Sequence, residues 1–259
     1  SSFRVNNVET KRWSSKIHSI PWNSELRENF VPRTENSVLV HYDYSQAEVR
    51  TLATMAGDEN MLKVFREGKD FHRATAAYIF GKNEKDITDA ERRFSKGATF
   101  SILYRAGIAS FAKDYTQGDV GKAQQIMKEF ANLYPKVPEY IIKQDEMVDK
   151  CGYVVTMFGD KIITVDAPHD PHAKYRYGTN YPIQSTSSTV CAVAAVWEVY
   201  KRMKQLKVNA APLAFTHDST DWDVRILHLP LFLSEARRVA EAYPDEMFGI
   251  PAKVDMEVG

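Results

Sequence analysis

Val38-Leu39-Val40-His41-Tyr42-Asp43 is a short apolar run that ends on a carboxylate. Leu213-Ala214-Phe215-Thr216-His217-Asp218 repeats the pattern near the other end of the chain. Both runs are rich in strand-forming residues, and each is predicted to be a strand that delivers an aspartate at its end. They are far apart in sequence, so only the fold can bring them together. Two carboxylates on neighbouring strand ends are what a two-metal site needs, where a pair of Mg²⁺ ions activates a nucleophile and stabilises a leaving oxygen. Taken singly, Asp43 also reads as the N-cap of the helix that follows, and His217-Asp218-Ser219 as ordinary turn chemistry. Asp221 and Asp223 are the alternatives if the register of that hairpin differs.

A cationic helix lies between the two runs. Thr88-Asp89-Ala90-Glu91 is a capping box, with Glu three residues after the hydroxyl, and it opens a helix to about Tyr104. Arg92, Lys96, Phe100 and Tyr104 follow at four-residue spacing and form one slowly drifting stripe. Two cations followed by two rings suit a triphosphate and then a sugar and base. Gly97 and Ala98 keep the adjacent face thin, so a ligand or another backbone can come close. Acid, cationic helix, acid is the order of a nucleotidyl transferase.

Working outward, residues 1–36 are polar and Pro-punctuated. Helices are predicted from Gln46 to Ala56 with Val49, Leu52 and Ala53 inward, and over Asp58–Glu67, Lys69–Phe80, Gly118–Tyr134 and Val137–Lys150. Gly152 to Gly159 reads as a strand and turn. Residues 165–182 read as a loop, with Pro182 interrupting any helix through Arg176, Asn180 and Gln184. A long Ala/Val-rich helix spans Ser187–Leu206. A turn at Ser219-Thr220, a return strand Trp222–Ile226, a helix Leu233–Ala242 and a strand Ala252–Val258 complete the chain. Strands thus cluster at the two ends with helices between them, an α+β arrangement of an antiparallel sheet with a helical insertion.

The bulk numbers set bounds. The chain has 259 residues, 44% of them hydrophobic, enough for one large domain or two joined lobes. Lys+Arg and Asp+Glu both number 34. Zero net charge argues against a uniformly basic nucleic-acid binder. Charge is nonetheless segregated, because Lys82, Lys85, Arg92, Arg93, Lys96 and Arg105 fall close together. Cys151 and Cys191 are the only cysteines, so nothing suggests a disulfide framework or a zinc site, and a reducing compartment is the default. No run reaches the roughly 18 apolar residues of a membrane span, and no signal peptide opens the chain.

Read together, these segments resemble the polymerase region of family A DNA polymerases, the bacterial DNA polymerase I group with its phage and organellar relatives. Asp43-Tyr44-Ser45-Gln46-Ala47-Glu48-Val49-Arg50 is similar to the family's motif A. Arg92-Arg93-x-x-Lys96-x-x-x-Phe100-x-x-x-Tyr104 is similar to motif B, and His217-Asp218-Ser219 to motif C. Gly68-Lys69-Asp70-Phe71-His72-Arg73, Gly152-Tyr153-Val154-x-Thr156-x-Phe158-Gly159 and Asn180-x-Pro182-x-Gln184-x-Thr186 agree further. Thr10-Lys11-Arg12-Trp13-Ser14-Ser15 resembles the segment that binds the primer–template minor groove.

The resemblance implies a right-hand polymerase fold without its thumb, with palm in residues 1–66 and 163–259 and fingers in 67–162. It implies a DNA-directed DNA polymerase that uses two Mg²⁺ ions, held by Asp43, Asp218 and the Tyr44 backbone carbonyl, with Lys96 also catalytic. His72, Arg92, Lys96, Phe100, Tyr104 and the sugar gate Glu48 would bind the deoxynucleoside triphosphate. Arg12, Arg176, Asn180, Gln184 and His217 would contact primer–template DNA. A thumb and any exonuclease segment are expected upstream, in the same chain or a separate one, and no membrane partner is expected. The setting implied is the cytoplasm of a bacterial or infected host cell, or an organelle matrix.

The sequence departs from the family at Ser219, where Glu is usual, and at Ser101 and Arg105, where Gly is usual. Ser219 keeps a single-subunit RNA polymerase open, although a carboxylate at Glu48 would crowd a 2′-hydroxyl. A partner-dependent, inactive nucleic-acid-binding fragment is the reading from outside catalysis.

Overall fold

The computed structural model describes residues 25, 29–164, 170 and 172–259. The described elements run, in chain order, β1 (Ser37–Tyr44), α1 (Ala47–Ala56), α2 (Glu59–Arg66), α3 (Phe71–Phe80), α4 (Asp89–Leu103), α5 (Ile108–Tyr115), α6 (Val120–Leu133), α7 (Lys136–Cys151), β2 (Tyr153–Val155), β3 (Lys161–Ile163), α8 (Ala173–Ser187), a π-helical stretch Ser188–Ala194, α9 (Ala195–Gln205), β4 (Ala210–Thr216), β5 (Ser219–Arg225), α10 (Leu229–Phe248) and β6 (Val254–Val258). The chain divides into two compact units, Ser1–Thr51 with Gln184–Gly259, and Leu52–Ile183.

The first unit is built on an antiparallel sheet of order β4-β5-β1-β6. Its strands alternate, so each face has one character. Val40, Tyr42, Tyr44, Trp222, Val224 and Val254 are buried on one face. Trp222 packs against Phe232 of α10 at 5.3 Å between centroids, and the Tyr44 hydroxyl donates to the Ala240 carbonyl at 2.7 Å. Buried side chains of this size each stabilise by about 1.5–3 kcal/mol, and they fix the register. The opposite face therefore has no choice but to carry His41, Asp43, Ser219, Asp221, Asp255 and Glu257.

The second unit is helical, with the β2–β3 hairpin. Ala98, Phe111, Ala112, Ala123 and Ile126 form one core cluster, and Val148, Val154 and Ile162 another. The thin face at Gly97 is filled from within the protein. A Cβ at Gly97 would fall 2.6 Å from the Tyr115 hydroxyl, so α5 sits on α4 where a ligand was the other expectation.

The structure corrects the sequence reading at three places. First, α5 was not predicted. It is only eight residues long and has no side-chain cap, and it is held by Phe111 and Ala112. Second, residues 173–187 are helix, not loop, with Pro182 inside α8. Proline's ring presses on the carbonyl four residues earlier. Here that residue is Gly178, which has no side chain of its own, and α8 approaches α7 so closely that a Cβ there would lie 2.6 Å from Val148 Cγ2. Third, the β4–β5 turn is His217-Asp218 rather than Ser219-Thr220, since Thr216 pairs with Ser219 and Phe215 with Thr220. His217 takes φ +59, and Asp218 stands in the turn rather than on the strand.

Candidate functional site

The shifted turn still brings the two aspartates together. Asp43 is opposite Ser219 in the β1–β5 register, and the Tyr44 N–H donates to the Asp218 carbonyl at 3.2 Å. The two carboxyls line the same cleft, near enough for each to feel the other's charge. Burial raises the Asp218 carboxyl first, and the charges of Asp43 and Glu48 raise it further, to about 7.

They line an open cleft of about 450 Å³ with His41, Thr216, His217, Ser219, Asp221, Asp255 and Glu257. Asp221 Oδ1 accepts from His41 Nδ1 at 2.7 Å, and that bond raises the imidazole pKa despite burial. Asp223, the other alternative, is buried and bonded to the Arg33 N–H at 2.7 Å and guanidinium at 3.3 Å, outside the cleft. Sequence reasoning missed His41, Asp255 and Glu257. Period-two alternation puts Asp255 and Glu257 on one face of β6, but only their pairing with Asp43 and His41 places that face in the cleft.

Among the described residues, no three His, Cys, Asp or Glu side chains cluster as a complete metal cage. A pair of neighbouring carboxyls fits a hard divalent cation that keeps water or phosphate oxygens for its remaining positions, the habit of Mg²⁺.

Four of the predicted nucleotide contacts lie on α4 and its C-cap in the helical unit, and His72 lies on α3 beside them. The capping box at Thr88 and Glu91 is present as read. Asp70 N-caps α3 and binds Arg92, its Oδ2 accepting from Nη2 at 2.6 Å and Nε at 3.1 Å. Lys96 is exposed and its side chain makes no hydrogen bond or ion pair among the described residues. Phe100 stacks on Tyr104 at 6.1 Å and lies 6.2 Å from His72.

His72 is 1% exposed and its Nδ1 has no hydrogen-bond partner. Burial, helped by Arg92 and Lys96 and opposed by Asp70, lowers its pKa to about 4. The unfolded chain therefore takes up this proton near pH 6.5 and the folded chain only near 4. Stability should fall as pH drops through that window, by on the order of 3 kcal/mol from this group. Denaturant unfolding of the parent and of His72→Leu between pH 7 and 4 measures it; equal slopes would contradict the assignment.

Glu48 is in the first turn of α1, and its charge reaches Asp218. Arg176, Asn180 and Gln184 share one face of α8; Arg176 pairs with Asp170, and Asn180 and Gln184 are buried. His217 lines the carboxylate cleft. Arg12 lies outside the described residues.

An antiparallel sheet with a paired-aspartate cleft, joined to a helical insertion, is the polymerase fold. The POL domain of Pol1 from M. smegmatis, solved as a complex with DNA primer-template and dNTP, matches 99% of this chain and 47% of that one with a TM-score of 0.89 at 23% identity. The chain belongs to DNA polymerase family A, whose profile matches residues 2–259. It is 29% identical over 244 residues to the thermostable DNA polymerase I of Thermus aquaticus and 31% over 230 residues to DNA polymerase I of Borreliella burgdorferi. Those alignments take in 92% and 82% of this chain but only 28% and 25% of the relatives.

Proposed function

We propose that the chain is the catalytic region of a DNA-templated DNA polymerase, extending a primer 3′-hydroxyl with deoxynucleoside triphosphates. The placing of Asp43 on β1 beside Asp218 in the β4–β5 turn, both lining one cleft, carries this reading. The carboxylate sheet belongs to the palm, at 1–66 and 163–259, and α4 to the fingers, at 67–162.

Family A polymerases generally use divalent metal ions. Asp43, Asp218 and the Tyr44 carbonyl would hold two Mg²⁺ ions, which when bound acidify the attacking hydroxyl and offset charge on the leaving oxygen. Arg92 and Lys96 bind the triphosphate oxygens, and His72, neutral at physiological pH, can add a hydrogen bond but no charge. Phe100 and Tyr104 lie along the sugar and base. Glu48 excludes a 2′-hydroxyl. Arg12, Arg176, Asn180, Gln184 and His217 position primer and template. Positioning and electrostatics supply the rate, since both reactants arrive ready-made.

Among the described residues no helix is long and apolar enough to cross a membrane. The relatives extend well beyond the matched region. We therefore expect full primer–template affinity to need a thumb-like segment, supplied in the same chain or by another. The cytoplasm of a bacterial or infected host cell, or an organelle matrix, is the proposed setting.

Primer extension with Mg²⁺ and either deoxy- or ribonucleotides tests the reading. Extension is expected with deoxynucleotides. A preference for ribonucleotides would transfer the assignment to an RNA polymerase, the reading Ser219 motivates. Binding of primer–template without extension, even when upstream polypeptide is supplied, would make the chain a binding subunit.

A further inference from the structure

We propose that Asp70 is a positioning residue for the nucleotide's phosphates, locking one edge of the Arg92 guanidinium so that the other edge is presented to ligand. The inference rests on the reading that Arg92 binds triphosphate.

One carboxylate performs two separate tasks. Its Oδ1 accepts the Arg73 N–H at 2.8 Å and so caps α3. Its Oδ2 accepts both Nε–H and Nη2–H of Arg92. Those two donors form one edge of the planar guanidinium, and the Nη1–Nη2 edge points away from it. The Arg92 guanidinium makes no other hydrogen bond among the described residues. The Arg92 side chain remains 34% exposed, so the outer edge is reachable. That edge is the fork that matches two phosphate oxygens.

The surroundings favour positioning over simple neutralisation. Lys96, one turn along α4, has no anionic partner among the described residues, and His72, two residues after Asp70, is neutral. Asp70 therefore anchors one cation of the cluster and leaves the other unpaired. A free arginine must order a long side chain when it binds; one already held does not. The anchor is the helix-capping residue itself, so the position of Arg92 is tied to the N-terminus of α3.

The test is equilibrium binding of dATP and of inorganic tripolyphosphate, with Mg²⁺, to the purified parent chain and its variants. Asp70→Asn keeps an N-capping oxygen and removes the charge, so the thermal midpoint should hold. It is expected to weaken both probes alike, by roughly 3- to 10-fold, the scale of re-ordering one long side chain. Arg92→Ala should weaken both at least as much, and the double variant should match Arg92→Ala alone. Unchanged or tighter binding by Asp70→Asn, or additive losses in the double variant, would overturn the proposal while leaving Arg92 a phosphate ligand. Parent-like binding by Arg92→Ala would remove Arg92 from the site, and the proposal with it. If Asp70→Asn lowers the thermal midpoint, Arg92→Lys decides. A lysine held by Asp70 has no second edge, so a loss close to that of Arg92→Ala is expected, and parent-like binding is the overturning result.

Discussion

Alanine at Asp43 or at Asp218 is expected to reduce primer extension by several orders of magnitude while primer–template binding survives. The expectation follows from the geometry of the carboxylate cleft. Asp43 on β1 and Asp218 in the β4–β5 turn line the same cleft, and no third acidic or imidazole side chain among the described residues completes a metal cluster with them. Losing either would leave one carboxylate to hold the two proposed ions. The proposed DNA contacts, by contrast, lie on other residues, and phosphate contacts dominate the affinity of such binding.

A second measurement separates a functional pair from a structural one. Burial and the neighbouring charges raise the Asp218 pKa, so the folded state disfavours its charged form. At pH values above its ordinary range this group costs stability. Asp218→Asn should therefore hold or raise the thermal midpoint at pH 8 while activity collapses. Carboxylates kept at the expense of stability mark sites retained for chemistry. An inactive variant that is also strongly destabilised at pH 8 would point instead to a structural role, and an active one would end the two-metal assignment.

Much of this arrangement was legible in the sequence because local physics dictated it. Strand β1 was readable because Val38 and Val40 alternate with residues that end on Asp43, and α4 because its capping box is chemically unmistakable. The misreadings share a cause, which is that tertiary contacts overrode a local rule. Pro182 signals a helix stop, yet Gly178 and the packing of α8 on α7 carry the helix through it. The β4–β5 turn contains no Gly, and Asp218, Ser219 and Thr220 are all acceptable turn residues. Only pairing of Trp222 and Val224 with the buried face of β1 places the turn at His217-Asp218. Asp255 and Glu257 were invisible for a different reason. Acidic residues on an edge strand usually face water, and only the β1–β6 register puts them in the cleft. The Asp70–Arg92 pair spans two helices, so neither motif reveals it alone.

Lys96→Ala should lower kcat/KM for deoxynucleotides by about 100-fold, the scale of removing one preorganised donor from a site of developing charge. Lys96 is exposed and has no ion-pair partner among the described residues, so folding gains little from it and its removal should change stability by under ~0.5 kcal/mol. It stands one turn from Arg92 on the same stripe, and its charge helps keep the neighbouring His72 neutral. An unpaired cation beside a neutral imidazole and an anchored guanidinium is available to an incoming polyanion. If it served only to bind the triphosphate, KM would rise and kcat would hold. If it also meets charge that builds on the phosphates as the bond to the leaving group breaks, kcat must fall as well. Both changes are expected, because a flexible ammonium can follow the phosphate oxygens as charge shifts among them. Steady-state and single-turnover kinetics on Lys96→Ala and Lys96→Arg separate the two contributions, with arginine restoring most of KM and less of kcat. Unchanged nucleotide kinetics in Lys96→Ala would remove α4 from the nucleotide site and leave its cationic stripe as a solvated face.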